Sequence, residues 1–305
     1  MYQEEAMLQL LRECRLCPRN CGVDRLSGQA GYCGCDARLQ LARAALHMWE
    51  EPCISGEEGS GTVFFSGCSL GCVFCQNQEI AQAKAGRYVP PERLVEIFFE
   101  LADQGANNIN LVTAGHYVPQ VALALQQAKA EGLSIPVVYN SGGYELPETL
   151  RLLEGLVDIY LPDLKYCDPA LSRRYAQADD YFPVAQAALA EMFRQVGEPL
   201  FDERGMLRRG MVVRHLALPG QAEDSRAILR YLRQTYGDSI YISLMSQYTP
   251  LPHSSAYPEL RRKLSEAEYD ALVDYAVELG IENGFIQEGE AAEESFIPPF
   301  DYTGV

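Results

Sequence analysis

The chain has 305 residues, room for one large domain or two ordinary ones, and 48% of them are hydrophobic, ample for a sizeable core. Asp and Glu number 42 against 25 Lys and Arg, a formal net charge of −17, which excludes a general attraction to nucleic acid or anionic lipid. The start, MYQEEAMLQL, has neither the basic nor the apolar region of a secretory signal, and no apolar run approaches the length of a membrane span. The expectation is a soluble, cytoplasmic protein without nucleic-acid or membrane partners. In that compartment 10 cysteines point to metal or redox chemistry more than to disulfides.

Residues 1–13 predict a short amphipathic helix. Cys14-Arg15-Leu16-Cys17-Pro18-Arg19-Asn20-Cys21 follows, then Gly28, Gly31 and Cys33-Gly34-Cys35. Cys14, Cys17, Cys21 and Cys33 are spaced C-x2-C-x3-C-x11-C. Four thiolates separated by glycine-rich turns suit a metal-stapled knuckle, with zinc or a second iron–sulfur cluster equally matched to the ligands. Cys35 can take the place of Cys33, and free cysteines are the bland alternative. Residues 38–50 predict an edge strand ending near His47, read as a hydrogen-bonded structural histidine. The Gly-, Ser- and Glu-rich stretch 52–61, with Cys53, is a connector.

Next comes the run Gly61-Thr62-Val63-Phe64-Phe65-Ser66, a strand by its β-branched and aromatic content. It leads into Gly67-Cys68-Ser69-Leu70-Gly71-Cys72-Val73-Phe74-Cys75-Gln76-Asn77. Glycines 67 and 71 let this loop turn sharply against a bulky ligand. Three thiolates, Cys68, Cys72 and Cys75, can hold three irons of a [4Fe–4S] cluster. The usual cluster has four protein ligands, so one iron keeps an open site.

Beyond residue 61 the pattern alternates. Strands are expected near 62–66, 108–113, 136–140, 157–162, 211–216 and 240–245. Helices are expected near 92–104, 118–131, 147–155, 184–196, 221–236 and 266–280. Regular alternation implies parallel strands with right-handed crossovers. The fold class is α/β, with a small Cys-rich extension at residues 1–60 and a core at 61–305. Residues 201–207 predict a hairpin insertion, and Phe296–Asp301 an extended tail packed on the core. Chemistry in such folds gathers at the C-terminal strand ends. Those ends carry Thr113-Ala114-Gly115-His116, Asn140-Ser141-Gly142-Gly143, Asp163-Leu164-Lys165 and Arg214 with Pro219-Gly220.

The cysteine loop, with aromatic Phe74 before its third cysteine and Asn77 two residues after, resembles the radical S-adenosylmethionine (radical SAM) superfamily. The resemblance implies a partial (β/α)6 TIM-like barrel, a [4Fe–4S] cluster and S-adenosylmethionine. It further implies reductive cleavage of the latter to a 5′-deoxyadenosyl radical that abstracts hydrogen. Carried onto this chain, it makes Asn77, Thr113, His116, Asn140, Asp163, Lys165 and Arg214 cofactor-binding. Asp163 would face the ribose hydroxyls, and Lys165 the methionine carboxylate. Many members carry Gly-Gly-Glu after the second strand; this chain has Thr113-Ala114-Gly115 there instead. The Asp-Leu-Lys and Arg with Pro-Gly are similar to glycyl-radical-enzyme activases. Nearly the whole chain resembles the pyruvate formate-lyase activating enzyme-like iron–sulfur proteins. An electron donor such as flavodoxin or ferredoxin and a protein or peptide substrate are the partners implied. Modification of a peptide or small molecule, and an electron-transfer or scaffold protein without catalysis, are the alternatives; an Asp163/Lys165 pair at a strand end speaks against the latter.

Overall fold

The computed structural model describes residues 2–287 and 298–305. Its strands are β1 (Leu39–His47), β2 (Ser60–Phe65), β3 (Arg87–Val89), β4 (Ile109–Val112) and β5 (Val137–Ser141), then β6 (Ile159–Pro162), β7 (Leu200–Phe201), β8 (Leu207–Leu216), β9 (Tyr241–Met245) and β10 (Gly284–Ile286). They form one sheet in the order β3-β1-β2-β4-β5-β6-β8-β9-β10, with β7 beside β8. Along that order from β2 to β10 every pair is parallel, while the short β7 is antiparallel to β8. β1 runs antiparallel to both β2 and β3.

Sequence pattern explains this arrangement. β2 and β5 are buried at every position, because helices cover one face of a parallel sheet and the barrel interior takes the other. The helix Pro91–Asp103 opens with proline, whose missing N–H costs nothing in the first turn, and buries Leu94, Val95, Ile97, Phe98 and Leu101 along one stripe. Helices Val118–Ala130, Tyr181–Val196 and Ala222–Tyr236 likewise bury apolar residues between later strands.

The six expected strands are β2, β4, β5, β6, β8 and β9, consecutive in the sheet. Among the described residues the sheet stays open, with β3 and β10 at its edges, as a partial barrel requires. β3 lies beyond β1, so β1 is not the edge strand that its pattern suggested. β10 adds a further parallel strand; three residues are too few to register as an apolar run. A helix at Pro169–Ala176 was also legible but overlooked. Asp168 caps it by accepting the Ala170 N–H at 2.7 Å, and Pro169 is its first residue. The hairpin forms as expected, with Phe201 opposite Leu207. Of the expected tail, Phe296 and Ile297 lie outside the described residues. The rest lies along β1: the Ala44 N–H donates to Thr303 O at 2.8 Å, and the Phe300 ring meets Phe64 edge-on at 5.4 Å. No helix among the described residues is long and apolar enough to cross a membrane.

Candidate active site

A cavity of about 260 Å³ is lined by the C-terminal ends of the parallel strands. His47 at the end of β1, with Trp49 and Glu50 just beyond it, shares that lining with Met245 and Gln247 of the β9 end. The open sheet therefore curls until the ends of β1 and β9 share one cavity. All of Cys68, Cys72, Cys75, Asn77, Thr113, His116, Asn140, Asp163, Lys165 and Arg214 are brought together in this one lining.

The cysteine loop is held from several sides. Gly67 sits at φ +91° and Gly71 at φ +69°, conformations that side chains rarely adopt. A Cβ on Gly67 would strike Cys35 Sγ and lie 2.9 Å from His116 Nε2. The Gly67 N–H donates to Ile80 O at 2.7 Å and the Val73 N–H to Tyr175 O at 2.8 Å. Phe74 anchors the loop edge-on to Tyr166, Tyr175 and Tyr248. Cys68 Sγ accepts the Leu70 N–H at 3.3 Å, and Cys72 Sγ accepts the Tyr166 hydroxyl at 3.7 Å. Burial pushes the thiol of Cys72 up to about 11 and that of Cys75 up to about 12, so metal binding there must displace protons.

Opposite the loop lies a charged network. Asp163 Oδ2 pairs with Lys165 Nζ at 2.5 Å and Asp163 Oδ1 with Arg214 Nε at 2.9 Å. Arg214 also donates to Asn140 Oδ1 at 2.6 Å and pairs with Glu50 at 3.2 Å. Burial works against the charge on Asp163, but Lys165 and Arg214 outweigh it and hold the carboxyl below its ordinary range. Glu50 is moved the other way: burial raises it, against the pull of Arg214. Arg214 is thus already committed to internal carboxylates. His116 lines the cavity while its Nε2 stays 2.8 Å from Ser66 O, and burial lowers its pKa. Thr113 holds φ +62°, an unusual conformation for a β-branched residue that costs on the order of 1–3 kcal/mol and is typical of ligand sites.

The N-terminal cysteines form a second assembly behind the loop. Arg25, 1% exposed, donates to the carbonyls of Asp36 and His116, and Cys14 Sγ lies 3.9 Å from its Nη1. Cys33 is drawn down to about 5 by a hydrogen bond from Cys35, with burial opposing. Cys17 is pushed up to about 12 by burial, and Cys21 Sγ accepts the Tyr32 N–H at 3.2 Å. Arg19 ties this segment to the cysteine loop, donating to Ser69 O at 2.7 Å, Leu70 O at 3.1 Å and Ala176 O at 2.8 Å. Among the described residues, no three His, Cys, Asp or Glu side chains are gathered closely enough to hold a single metal ion.

Sequence reasoning missed two acids in the cavity. Glu50 closes the stretch 38–50 read as an edge strand, but the strand ends at His47 and leaves the acid in the turn beyond it. Glu145, 4% exposed, follows the Gly142-Gly143 turn, and a carboxylate just past two glycines at a strand end was a usable signal.

Residues 62–232, more than half of the chain, match the profile of the Radical SAM superfamily. The chain belongs to the radical SAM superfamily. Membership brings with it a [4Fe–4S] cluster, S-adenosylmethionine and radical chemistry. An uncharacterized protein of Methanocaldococcus jannaschii is 26% identical over 280 residues, covering 89% of this chain and 76% of the relative. Among solved structures, Streptococcus suis SuiB bound to precursor peptide SuiA is similar with a TM-score of 0.49 at 12% identity, covering 73% of this chain and 47% of SuiB. SuiB bound to S-adenosylmethionine gives 0.49 at 15% identity, covering 73% and 48%. The FeFe-hydrogenase maturase HydG from Carboxydothermus hydrogenoformans gives 0.45 at 13% identity, covering 77% and 59%. The chain spans about half the length of the SuiB chains it matches.

Proposed function

We propose that Cys68, Cys72 and Cys75 hold the [4Fe–4S] cluster and that the enzyme abstracts hydrogen from an extended protein or peptide segment, as a glycyl-radical-enzyme activase does. The observation that carries the cluster assignment is the cavity lining, which contains these three cysteines and, among the described residues, no other. Three soft ligands with N–H and O–H donors to sulfur fit a cluster with one open iron. When bound, the cluster supplies the electron that cleaves S-adenosylmethionine to methionine and a 5′-deoxyadenosyl radical.

The protein's part is binding and orientation. Lys165 is the cation on the cavity wall paired only with Asp163, and it suits the methionine carboxylate. Asp163 offers carboxylate oxygens to the ribose hydroxyls, while Glu50 and Asn140 hold Arg214 in place. Asn77, Thr113 and His116 complete the cofactor side. A protein segment is favoured by what flanks the cavity. One depression, with Arg43, Leu46 and Met48, shares His47, Trp49, Phe64 and Pro298 with it; another, with Pro52 and Gln287, shares Trp49, Glu50 and Gln247. Such a trough suits an extended chain more than a small molecule. Cys14, Cys17, Cys21 and Cys33 carry a smaller proposal, a second metal site, zinc or a second cluster; to hold a single zinc ion the thiols must draw together from their present positions.

The test uses anaerobically reconstituted protein, reduced with dithionite or flavodoxin. Iron, sulfide and zinc are counted per chain, and 5′-deoxyadenosine is assayed with S-adenosylmethionine and candidate peptide segments. Four irons with product formed only when a peptide is present supports the reading. A loaded, reduced cluster that forms product equally well without any peptide removes the protein-substrate part. A Cys72→Ala protein that still forms product removes the cluster assignment.

A further inference from the structure

One carboxylate in the cavity wall is left without a cation. Glu145 lines the cavity at 4% exposure; the Ser141 and Tyr139 hydroxyls lie beside its carboxyl group, yet its Oε2 has no hydrogen-bond partner and no cation pairs with it. A buried, unpartnered acceptor is costly and calls for a donor. The cavity's other carboxylates are answered: Asp163 by Lys165 and Arg214, and Glu50 by Arg214, Asn110 and Asn140. Three carboxylates therefore share two permanent cations, and Glu145 is the acid in excess.

Its placement is also built. The residue follows β5, yet its carboxyl group reaches across to the end of β4. A Cβ on Gly115 would lie 2.6 Å from Oε2 and 2.7 Å from Oε1, so the glycine is what admits the acid. The adjoining Thr113 is the residue held at φ +62°. Strained backbone, a glycine kept bare and an unanswered acid all meet at one point of the lining.

We propose that Glu145 is the hydrogen-bond acceptor for the α-amino group of S-adenosylmethionine. The proposal rests on the radical SAM reading above. At neutral pH the free cofactor carries an ammonium, a sulfonium and a carboxylate, a net positive charge that would favour the ionised form of this buried acid. Its sulfonium has no hydrogen to donate, and its adenine amine is neutral. The α-amino group is the donor best able to answer a buried carboxylate. The role falls to an acid from the third strand's loop, at a place where the chain's own second-strand end, Thr113-Ala114-Gly115, has none.

The test is a binding measurement that needs no turnover. Dissociation constants are measured on iron-loaded wild type, Glu145→Gln and Gly115→Ala. The ligands are S-adenosylmethionine and its analogue with hydrogen in place of the α-amino group. Wild type should prefer the natural cofactor. Glu145→Gln should narrow that preference roughly 10- to 100-fold while leaving the analogue's affinity unchanged. Gly115→Ala, which pushes the carboxylate aside, should narrow it too and serves if the first variant folds poorly. A preference within twofold of wild type in both variants overturns the assignment of Glu145 alone. Wild type that binds neither ligand overturns the radical SAM reading and this proposal with it.

Discussion

The chain holds two cysteine assemblies in contact with one another, and they are built on different principles. Cys68, Cys72 and Cys75 stand on a loop launched from a fully buried strand, and their sulfurs line a cavity. Cys14, Cys17, Cys21, Cys33 and Cys35 lie outside that lining, in a segment organised by the buried guanidinium of Arg25 and by a small cluster of Leu11, Cys14 and Leu16. The same residue type thus lines a cavity in one region and is absorbed into packing and hydrogen bonding in the other. The difference lies in what surrounds the sulfur: the first set faces open space beside cations, and the second faces backbone donors and a carbonyl-bound arginine.

The largest expected contrast is chemical. Cys72→Ala should lose cluster iron and all 5′-deoxyadenosine formation, whereas Cys14→Ala should keep the cavity cluster and lose mainly stability. Iron counts and product assays on both variants decide it. If Cys14→Ala alone abolished cluster loading, the two regions would have to be counted as one site.

Next comes the pH dependence set by Glu145. Burial raises its pKa to about 8, against the smaller opposing pull of the Ser141 and Tyr139 hydroxyls. An acid raised above its unfolded value contributes stability at low pH. That contribution falls as pH rises from the ordinary carboxyl range, about 4.5, through about 8. The full swing is on the order of 4 kcal/mol. Glu145→Gln should therefore be more stable than wild type at pH 8 in the cofactor-free protein and nearly equal to it at pH 5, as urea unfolding at both values would show. A variant less stable at pH 8 would mean that these hydroxyls outweigh burial and stabilise the carboxylate.

On the N-terminal side, Arg25→Met should cost about 3 kcal/mol, because the Asp36 and His116 carbonyls lose a buried charged donor. Loss of under 1 kcal/mol in urea unfolding would show that the segment does not hang on this residue. The smallest effect is expected at Cys21, which is half-buried and accepts one N–H from Tyr32. Cys21→Ser should change stability by less than about 1 kcal/mol. A bound zinc or iron that disappears with this substitution would raise the second assembly to a metal site.

Sequence alone carried the ladder of parallel strands and the cysteine loop a long way, because both are written locally. A β-branched run such as Thr62-Val63-Phe64-Phe65 states its own conformation, and C-x3-C-x2-C states its own chemistry within eight residues. It also placed Asp163 and Lys165 on one strand end, since residues two apart on a strand share a face. What it left unspecified are the relations between distant segments. Glu50 meets Arg214 from the turn beyond β1, 164 positions earlier, and no periodicity in either segment announces the other. Glu145 reaches the end of a strand to which it does not belong, because Gly115 has no side chain to keep it out. β10 joins the sheet with three residues whose pairing to β9 supplies what their own pattern lacks. Local propensity and spacing therefore determined the elements and the ligand loop. Only the curl of the sheet, which brings the ends of β1 and β9 to one cavity, decided which charges face each other there and which is left without a cation.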